Sequence, residues 1–216
     1  MTAADLKAEK RVAAATAAAL VENGMVVGLG TGSTVAELVP VLGARRLDIT
    51  CAATSPATEA QATAHGLIVV PFTDIDRLDL AIDGADQVDP AGWLVKGGGG
   101  AHTRERIVAA AADRFVVIVS SDKPVDRIHA PVPLELLAFG LAATLRELPA
   151  AVLRQAPLTP DGGVLADYNG EVDDPAVLAA MLDAAPGVVA HGLFPPELVA
   201  TVLIARGDEV EMRQIA

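Results

Sequence analysis

Three short stretches carry most of the groups able to do chemistry. GLGTGST (28–34) sets the hydroxyls of Thr31, Ser33 and Thr34 among glycines. IDGADQVD (82–89) holds three carboxylates, Asp83, Asp86 and Asp89, and KGGGGAHTRER (96–106) puts Lys96 before four glycines with His102 and Glu105 beyond them. In the first, the N–H groups of a following helix's first turn could join the hydroxyls in holding a phosphate. A G-x-G start also suits a dinucleotide site, and a plain strand–turn–helix uses glycines too. The aspartates fit a turn, caps or magnesium ligation, but Asp83 ends an apolar strand, where a carboxylate without a partner is costly. Glu105 would complement a helix dipole in any case. His102 and Glu105 offer half a metal site, with no second ligand pair of that kind, so no metal is expected. Taken together, phosphate donors, paired carboxylates, a lysine and a glutamate suit proton transfer on a small, phosphorylated, hydroxyl-rich substrate.

These groups need a scaffold, and the first part of the chain alternates strand and helix signals. Strand-like runs are MVVGLG (25–30), LDITCAA (47–53), LIVVPF (67–72), LDLAIDG (78–84) and FVVIVS (115–120). Helix-like segments lie at 33–43, capped by Ser33 or Thr34, at 56–65 and at 103–113. Continuous apolar strands separated by helices indicate a parallel sheet covered on both faces, a Rossmann-like α/β domain. Ligands of such sheets bind at the carboxyl ends of strands, where all three motifs are expected to fall. After Ser121 the order β-α-β-β-α-β, from VPLELL to GVVAHGLF, matches a smaller ferredoxin-like α+β domain. ATVLIAR-GD-EVEMRQI then reads as a closing hairpin turning at Gly207-Asp208. The expected division is 1–129 with 199–216 as the α/β domain and 130–198 as the small one.

Composition narrows the partners. The 216 residues are 52% hydrophobic but only 3% aromatic, so the core must be aliphatic and alanine-rich. A formal net charge of −12 repels nucleic acid and anionic membranes, so an anion can bind only where a few basic residues and N–H groups converge. The single cysteine, Cys51, excludes an internal disulfide, suits a reducing cytoplasm and reads as a small core residue. Lys10-Arg11 before VAAATAAALV has the outline of a signal peptide, but Asp5 and Glu9 and the weakly apolar Ala and Thr favour an ordinary opening helix. No apolar run is long enough to span a bilayer.

GTGST, DGAD, the KGGG and TRE elements and a downstream lysine, Lys123 in SSDKPV, occur here in an order and spacing that resembles ribose-5-phosphate isomerase of the A type. The similarity covers essentially the whole chain. It implies an isomerase that interconverts ribose 5-phosphate and ribulose 5-phosphate through an enediolate, in the non-oxidative pentose phosphate pathway. It further implies that Glu105 is the base moving a proton between C1 and C2, and that Asp83 and Asp86 help ring opening and hydroxyl proton transfer. Gly84 and Ala85 line the site with them. Lys96 and Gly97, Gly98 and Gly99 are implied as sugar contacts. Thr31, Gly32, Ser33, Thr34 and Lys123 are implied as substrate and phosphate contacts, with Lys10 as an addition. The resemblance implies no metal or organic cofactor and a cytoplasmic homodimer or tetramer. Departures from the pattern are Gln87 for glutamate, expected to matter little at the flank of the site, Gly100 for alanine, His102 for an apolar residue and Arg106 for lysine.

Two other readings have sequence tests. A sugar-phosphate sensor would carry a DNA-binding segment, for which this chain has neither a spare domain nor a basic surface. An NAD-dependent oxidoreductase would want an acidic residue ending the second strand, which ends instead in ATSPAT. The four glycines then have a reason: an enediolate needs preorganised donors, and backbone N–H groups reach it when no Cβ intervenes.

Overall fold

The computed structural model describes residues 2–215. In chain order the elements are α1 (Ala3–Ala18), β1 (Val26–Leu29), α2 (Val35–Arg45), β2 (Thr50–Ala53), α3 (Pro56–Ala64), β3 (Ile68–Val69), β4 (Leu80–Asp83), β5 (Gln87–Val88), β6 (Leu94–Val95), α4 (His102–Ala110) and β7 (Phe115–Ser120). There follow β8 (Val132–Leu136), α5 (Leu141–Glu147), β9 (Ala151–Leu153), β10 (Val164–Tyr168), α6 (Pro175–Ala184), β11 (Val188–His191), β12 (Leu193–Phe194), β13 (Thr201–Arg206) and β14 (Glu209–Gln214). They form two compact units: the chain up to Ala85 with Arg104–Lys123 and the chain from Pro196 on, and Asp86–Thr103 with Pro124–Pro195.

The first unit is built on a seven-stranded sheet in the order β14-β13-β7-β4-β1-β2-β3. All neighbours are parallel except the β13–β14 hairpin. Every residue of β4 and β7 is buried, the pattern of central strands covered on both faces. With so few aromatics, the core is made of Val27, Leu29, Leu38, Leu42, Ile82, Ile118 and Leu203 and of the alanine stripe of α1. Ala13, Ala14, Ala17 and Ala18 are wholly buried, and their small side chains let the helix axis approach the sheet closely. Thr2 and Asp5 form a reciprocal capping box that fixes where α1 starts.

The second unit contains a four-stranded antiparallel sheet in the order β11-β8-β10-β9. In its own numbering that is 4-1-3-2 over the sequence β-α-β-β-α-β, the ferredoxin-like arrangement. Central β8 is buried throughout, and its Val132, Leu134 and Leu136 pack with Leu178 and Leu182 of α6. Fully burying one such leucine contributes about 1.5–3 kcal/mol. Asp174 caps α6 by accepting from Ala176 and Val177 N–H, with Pro175 in the first turn. A three-stranded sheet, β12-β6-β5, completes the unit.

Several sequence expectations change here. The third motif does not end a strand of the parallel sheet: Lys96 follows β6, paired antiparallel with β5 and β12. That pairing also draws 86–103 into the second unit, so the compact units cut the chain at other points than 129/130 and 198/199. LIVVPF pairs only through Ile68 and Val69 at the sheet edge, and a 3₁₀ turn at Phe72–Asp74 follows Pro71. The helix expected at 103–113 ends at Ala110. Neither Ser33 nor Thr34 caps α2 through its side chain, because Thr34 is itself helical (φ −79°, ψ −41°) and Ser33 Oγ accepts from Lys10 Nζ at 2.9 Å.

Candidate active site

In the first unit, β1 and β4 are parallel neighbours, so their carboxyl ends bring Gly30 and Thr31 beside Asp83. Asp83 is 3% exposed, and its Oδ1 accepts from Thr31 N–H at 3.1 Å and Gly84 N–H at 2.7 Å. These donors answer the cost of burying a carboxylate at a strand end. A Cβ on Gly30 would sit 1.8 Å from Asp83 Cγ, so glycine is required there by close approach. Thr31 Oγ1 meets Thr54 Oγ1 at 2.7 Å, and Thr58 Oγ1 donates to Gly30 O at 2.9 Å. Among the described residues none accepts a hydrogen bond from the N–H groups of Ser33, Thr34 or Val35. These are the donors an anion meets at a helix N-terminus, and Lys10 adds a cation at Ser33.

Lys123 lies in the turn after β7, its Nζ 3.4 Å from Asp122. The turn is fastened by a residue that sequence reasoning used only as an argument against a signal peptide. Glu9 on α1, 5% exposed, accepts at Oε2 from Ser121 N–H (2.9 Å) and Ser121 Oγ (2.7 Å), and at Oε1 from Gly207 N–H (2.9 Å). Burial pushes its pKa up, but the Gly207 and Ser121 donors outweigh this and hold it below the usual glutamate value. The one sequence signal was its place on the buried stripe with Ala13 and Ala17. Glu105 stands in the first turn of α4 and is 5% exposed.

The second unit holds Asp86, Lys96 and the glycine run. Lys96 is 3% exposed, its N–H donates to Gly192 O at 2.8 Å, and its Nζ lies 5.5 Å from the Phe194 ring centroid. Gly98 N–H donates to Asp86 Oδ2 at 2.8 Å. Gly97 has φ +104°, and a Cβ there would come 2.6 Å from His102 Nδ1. His102 is wholly buried, and neither ring nitrogen has a hydrogen-bond partner. Burial pushes its pKa down to about 4, with the charges of Arg154, His191 and Lys96 adding to the effect. The Ala190 carbonyl pulls the other way without meeting hydrogen-bond geometry.

Gln87 is no idle flank: it is buried and grips the backbone of one residue on both sides, donating from Nε2 to His129 O at 2.8 Å and accepting His129 N–H at Oε1 at 2.9 Å. Asp89 closes the turn to Trp93, whose N–H it accepts at 2.8 Å. Thr103 of the TRE element donates to Glu135, a buried carboxylate that also takes the Thr159 hydroxyl at 2.6 Å. Sequence reasoning overlooked Glu135 because it alternates with leucines in VPLELL. No group of three or more His, Cys, Asp or Glu among the described residues could hold a metal ion.

Direct contacts thus join Thr31 to Asp83 and Lys10 to Ser33 in the first unit, and Asp86 to Gly98 in the second. The family model of ribose 5-phosphate isomerase A (phosphoriboisomerase A) matches residues 50–209. The chain belongs to this family. Ribose-5-phosphate isomerase A of Rhodopseudomonas palustris is 43% identical, with 93% of this chain and 95% of that one covered. That of Methylorubrum extorquens is 44% identical, with 96% of each covered. The crystal structure of ribose 5-phosphate isomerase A from Neisseria gonorrhoeae matches with a TM-score of 0.93 at 29% identity, covering 98% of both chains. A D-ribose-5-phosphate isomerase in complex with phospho-erythronic acid matches with a TM-score of 0.89 at 32% identity, covering 95% of this chain and 97% of that one. No helix of the described residues is long and apolar enough to cross a membrane.

Proposed function

We propose that the protein interconverts D-ribose 5-phosphate and D-ribulose 5-phosphate through an enediolate, as a step of the non-oxidative pentose phosphate pathway. The family match over residues 50–209, which spans every group from Asp83 to Lys123, carries this reading. Glu105 takes the proton from C2 of the aldose and returns it to C1, so it must be a carboxylate within reach of both carbons. Asp83 and Asp86 assist ring opening and move hydroxyl protons, with Gly84 and Ala85 between them. Lys96 and the segment Gly97–Gly99 contact the sugar, and the lysine and the backbone donors of this loop stabilise the enediolate oxygens. Thr31, Gly32, Ser33, Thr34 and Lys123, with Lys10, bind the phosphate. The open N–H groups at the start of α2 support that last assignment, because an acidic protein must collect an anion locally. A related isomerase holds phospho-erythronic acid. A phosphate at one end and a carboxylate at the other is the charge pattern this site is asked to bind here.

The chemistry calls for no metal or organic cofactor, since Glu105 carries the proton and the electron pair stays on the substrate as the enediolate. We place the enzyme in the cytoplasm as a homodimer or tetramer. Exposed Phe139, Val152, Leu153 and Leu158 on the second unit support association, which light scattering on the purified protein would measure. The activity is tested by adding ribose 5-phosphate to EDTA-treated protein without any cofactor and following the ketose. Steady conversion is expected. Binding of the sugar phosphate without conversion would instead make the protein a sensor.

A further inference from the structure

The glycine run is held from behind by a residue outside all three motifs. Arg154 follows β9 and points the Nη1 corner of its guanidinium at two successive carbonyls, Gly97 O at 2.9 Å and Gly98 O at 3.3 Å. Its other edge is gripped by Asp167 of β10, with Nε to Oδ2 at 2.9 Å and Nη2 to Oδ1 at 2.6 Å. This bidentate pair is largely shielded, its side chains 18% and 25% exposed. A planar fork held on one edge has little freedom left on the other. The arginine is therefore fixed before it touches the loop.

The consequence follows from peptide geometry. Both glycine peptides are trans, the only cis bond among the described residues being Ala130–Pro131. In a trans peptide the N–H points opposite to the C=O of the same plane. With Gly97 O turned to Arg154, the Gly98 N–H faces away from the guanidinium, and it is found on Asp86 Oδ2 at 2.8 Å. With Gly98 O turned to the same nitrogen, the Gly99 N–H faces away from it as well, and no described residue accepts from it. Gly98 and Gly99 are exposed, whereas Gly97 is buried against His102. A cation on the carbonyls also polarises both peptides and makes their N–H groups stronger donors.

We propose that Arg154, locked by Asp167, is the positioning residue of the glycine loop, aiming the Gly99 N–H at the oxygen that becomes negative during isomerisation. The proposal rests on the reading that this loop serves the enediolate. An aimed donor acts on charge that develops in the transition state, so its loss lowers turnover and leaves substrate binding nearly unchanged. Lysine keeps the charge but has no second edge, so it cannot hold Asp167 and the carbonyls together.

The test compares R154K, R154M and D167N with wild type in turnover, Michaelis constant and melting temperature, with K96A as control. R154K and R154M should lose roughly tenfold or more in kcat, with KM within about twofold. D167N keeps the guanidinium but loosens it, and should fall between them and wild type. The proposal is overturned if kcat stays within about twofold in R154K and D167N, or if the loss lies mainly in KM. A loss of kcat seen only in variants whose melting temperature collapses would overturn it too, since the role would then be structural. If K96A also retains full turnover, the loop does not serve the reaction and the underlying reading fails. If K96A is slow while the Arg154 and Asp167 variants are not, only the positioning proposal fails.

Discussion

The loop at 30–34 and the loop at 97–100 are both glycine-rich, yet they are held in different ways. The first is organised by a buried acceptor: Asp83 occupies the space where a Gly30 side chain would be and takes the Thr31 N–H. Its following N–H groups, at the start of a helix, have no acceptor among the described residues. The second is organised by a donor: Arg154 collects the carbonyls of Gly97 and Gly98 and leaves N–H groups on the opposite side. Both arrangements present backbone donors in a protein of net charge −12, where side-chain cations are scarce. The difference teaches what each can bind. A helix start with three open N–H groups suits a permanent dianion, whereas one aimed peptide suits a single oxygen whose charge comes and goes.

The sharpest way to break this division is at the base between the two chemistries. Glu105→Gln keeps size and hydrogen bonding but cannot accept the C2 proton, so turnover should fall at least about a hundredfold while ribose 5-phosphate still binds. Wild type in deuterated water should place some deuterium at C1 of the ketose, since a carboxylate can exchange the proton it holds. Near-native turnover in the glutamine variant would remove Glu105 from the mechanism.

Next in size is the contrast between phosphate binding and chemistry. A charge-assisted contact is worth about 1.5–3 kcal/mol, so Lys123→Ala should raise KM by about tenfold or more with a smaller change in kcat. A tenfold fall in turnover at unchanged KM would place Lys123 with the chemistry instead. Gly97→Ala and Gly30→Ala then test what holds each loop. The first meets a positive φ and His102, the second a carboxylate, and each should cost about 1–3 kcal/mol, or roughly 2–10 °C of melting temperature. Unchanged melting in either would mean that the neighbour yields at no cost.

The two units should also differ in acid. His102 in the second has its pKa lowered from 6.5 to about 4, so it favours folding fully only above pH 6.5 and costs stability as the pH falls towards 4. At pH 5 that amounts to about 2 kcal/mol. Glu9 in the first, lowered from 4.5, loses its contribution only as the pH falls below 4.5. His102→Leu removes a buried ring without hydrogen-bond partners and should flatten the melting temperature between pH 6.5 and 4, whereas Glu9→Gln should leave that range alone. An unchanged pH slope in the leucine variant would show that His102 is not the group titrating. The smallest effect is expected from EDTA, which should leave activity intact, and a loss that magnesium restores would return Asp83 and Asp86 to metal ligation.

The motifs, their order, the parallel sheet and the ferredoxin-like order were legible in the chain because each rests on local patterns: apolar runs, helix periodicity, turn residues. Family resemblance supplied the roles proposed for Glu105, Asp83 and Lys96, which no periodicity encodes. Tertiary structure alone decided what holds the glycine run and the turn that bears Lys123. Arg154 meets Gly97 across 57 residues, and Glu9 meets Ser121 across 112. In sequence these are one more arginine and one more glutamate on helix or strand. A hydrogen bond's partner depends on which strand ends the sheet order makes neighbours, and that order comes from packing the whole apolar core rather than from any window of sequence. The same reason explains Lys96: it was expected at a strand end, but only the pairing of β6 with β5 and β12 showed which sheet that strand belongs to.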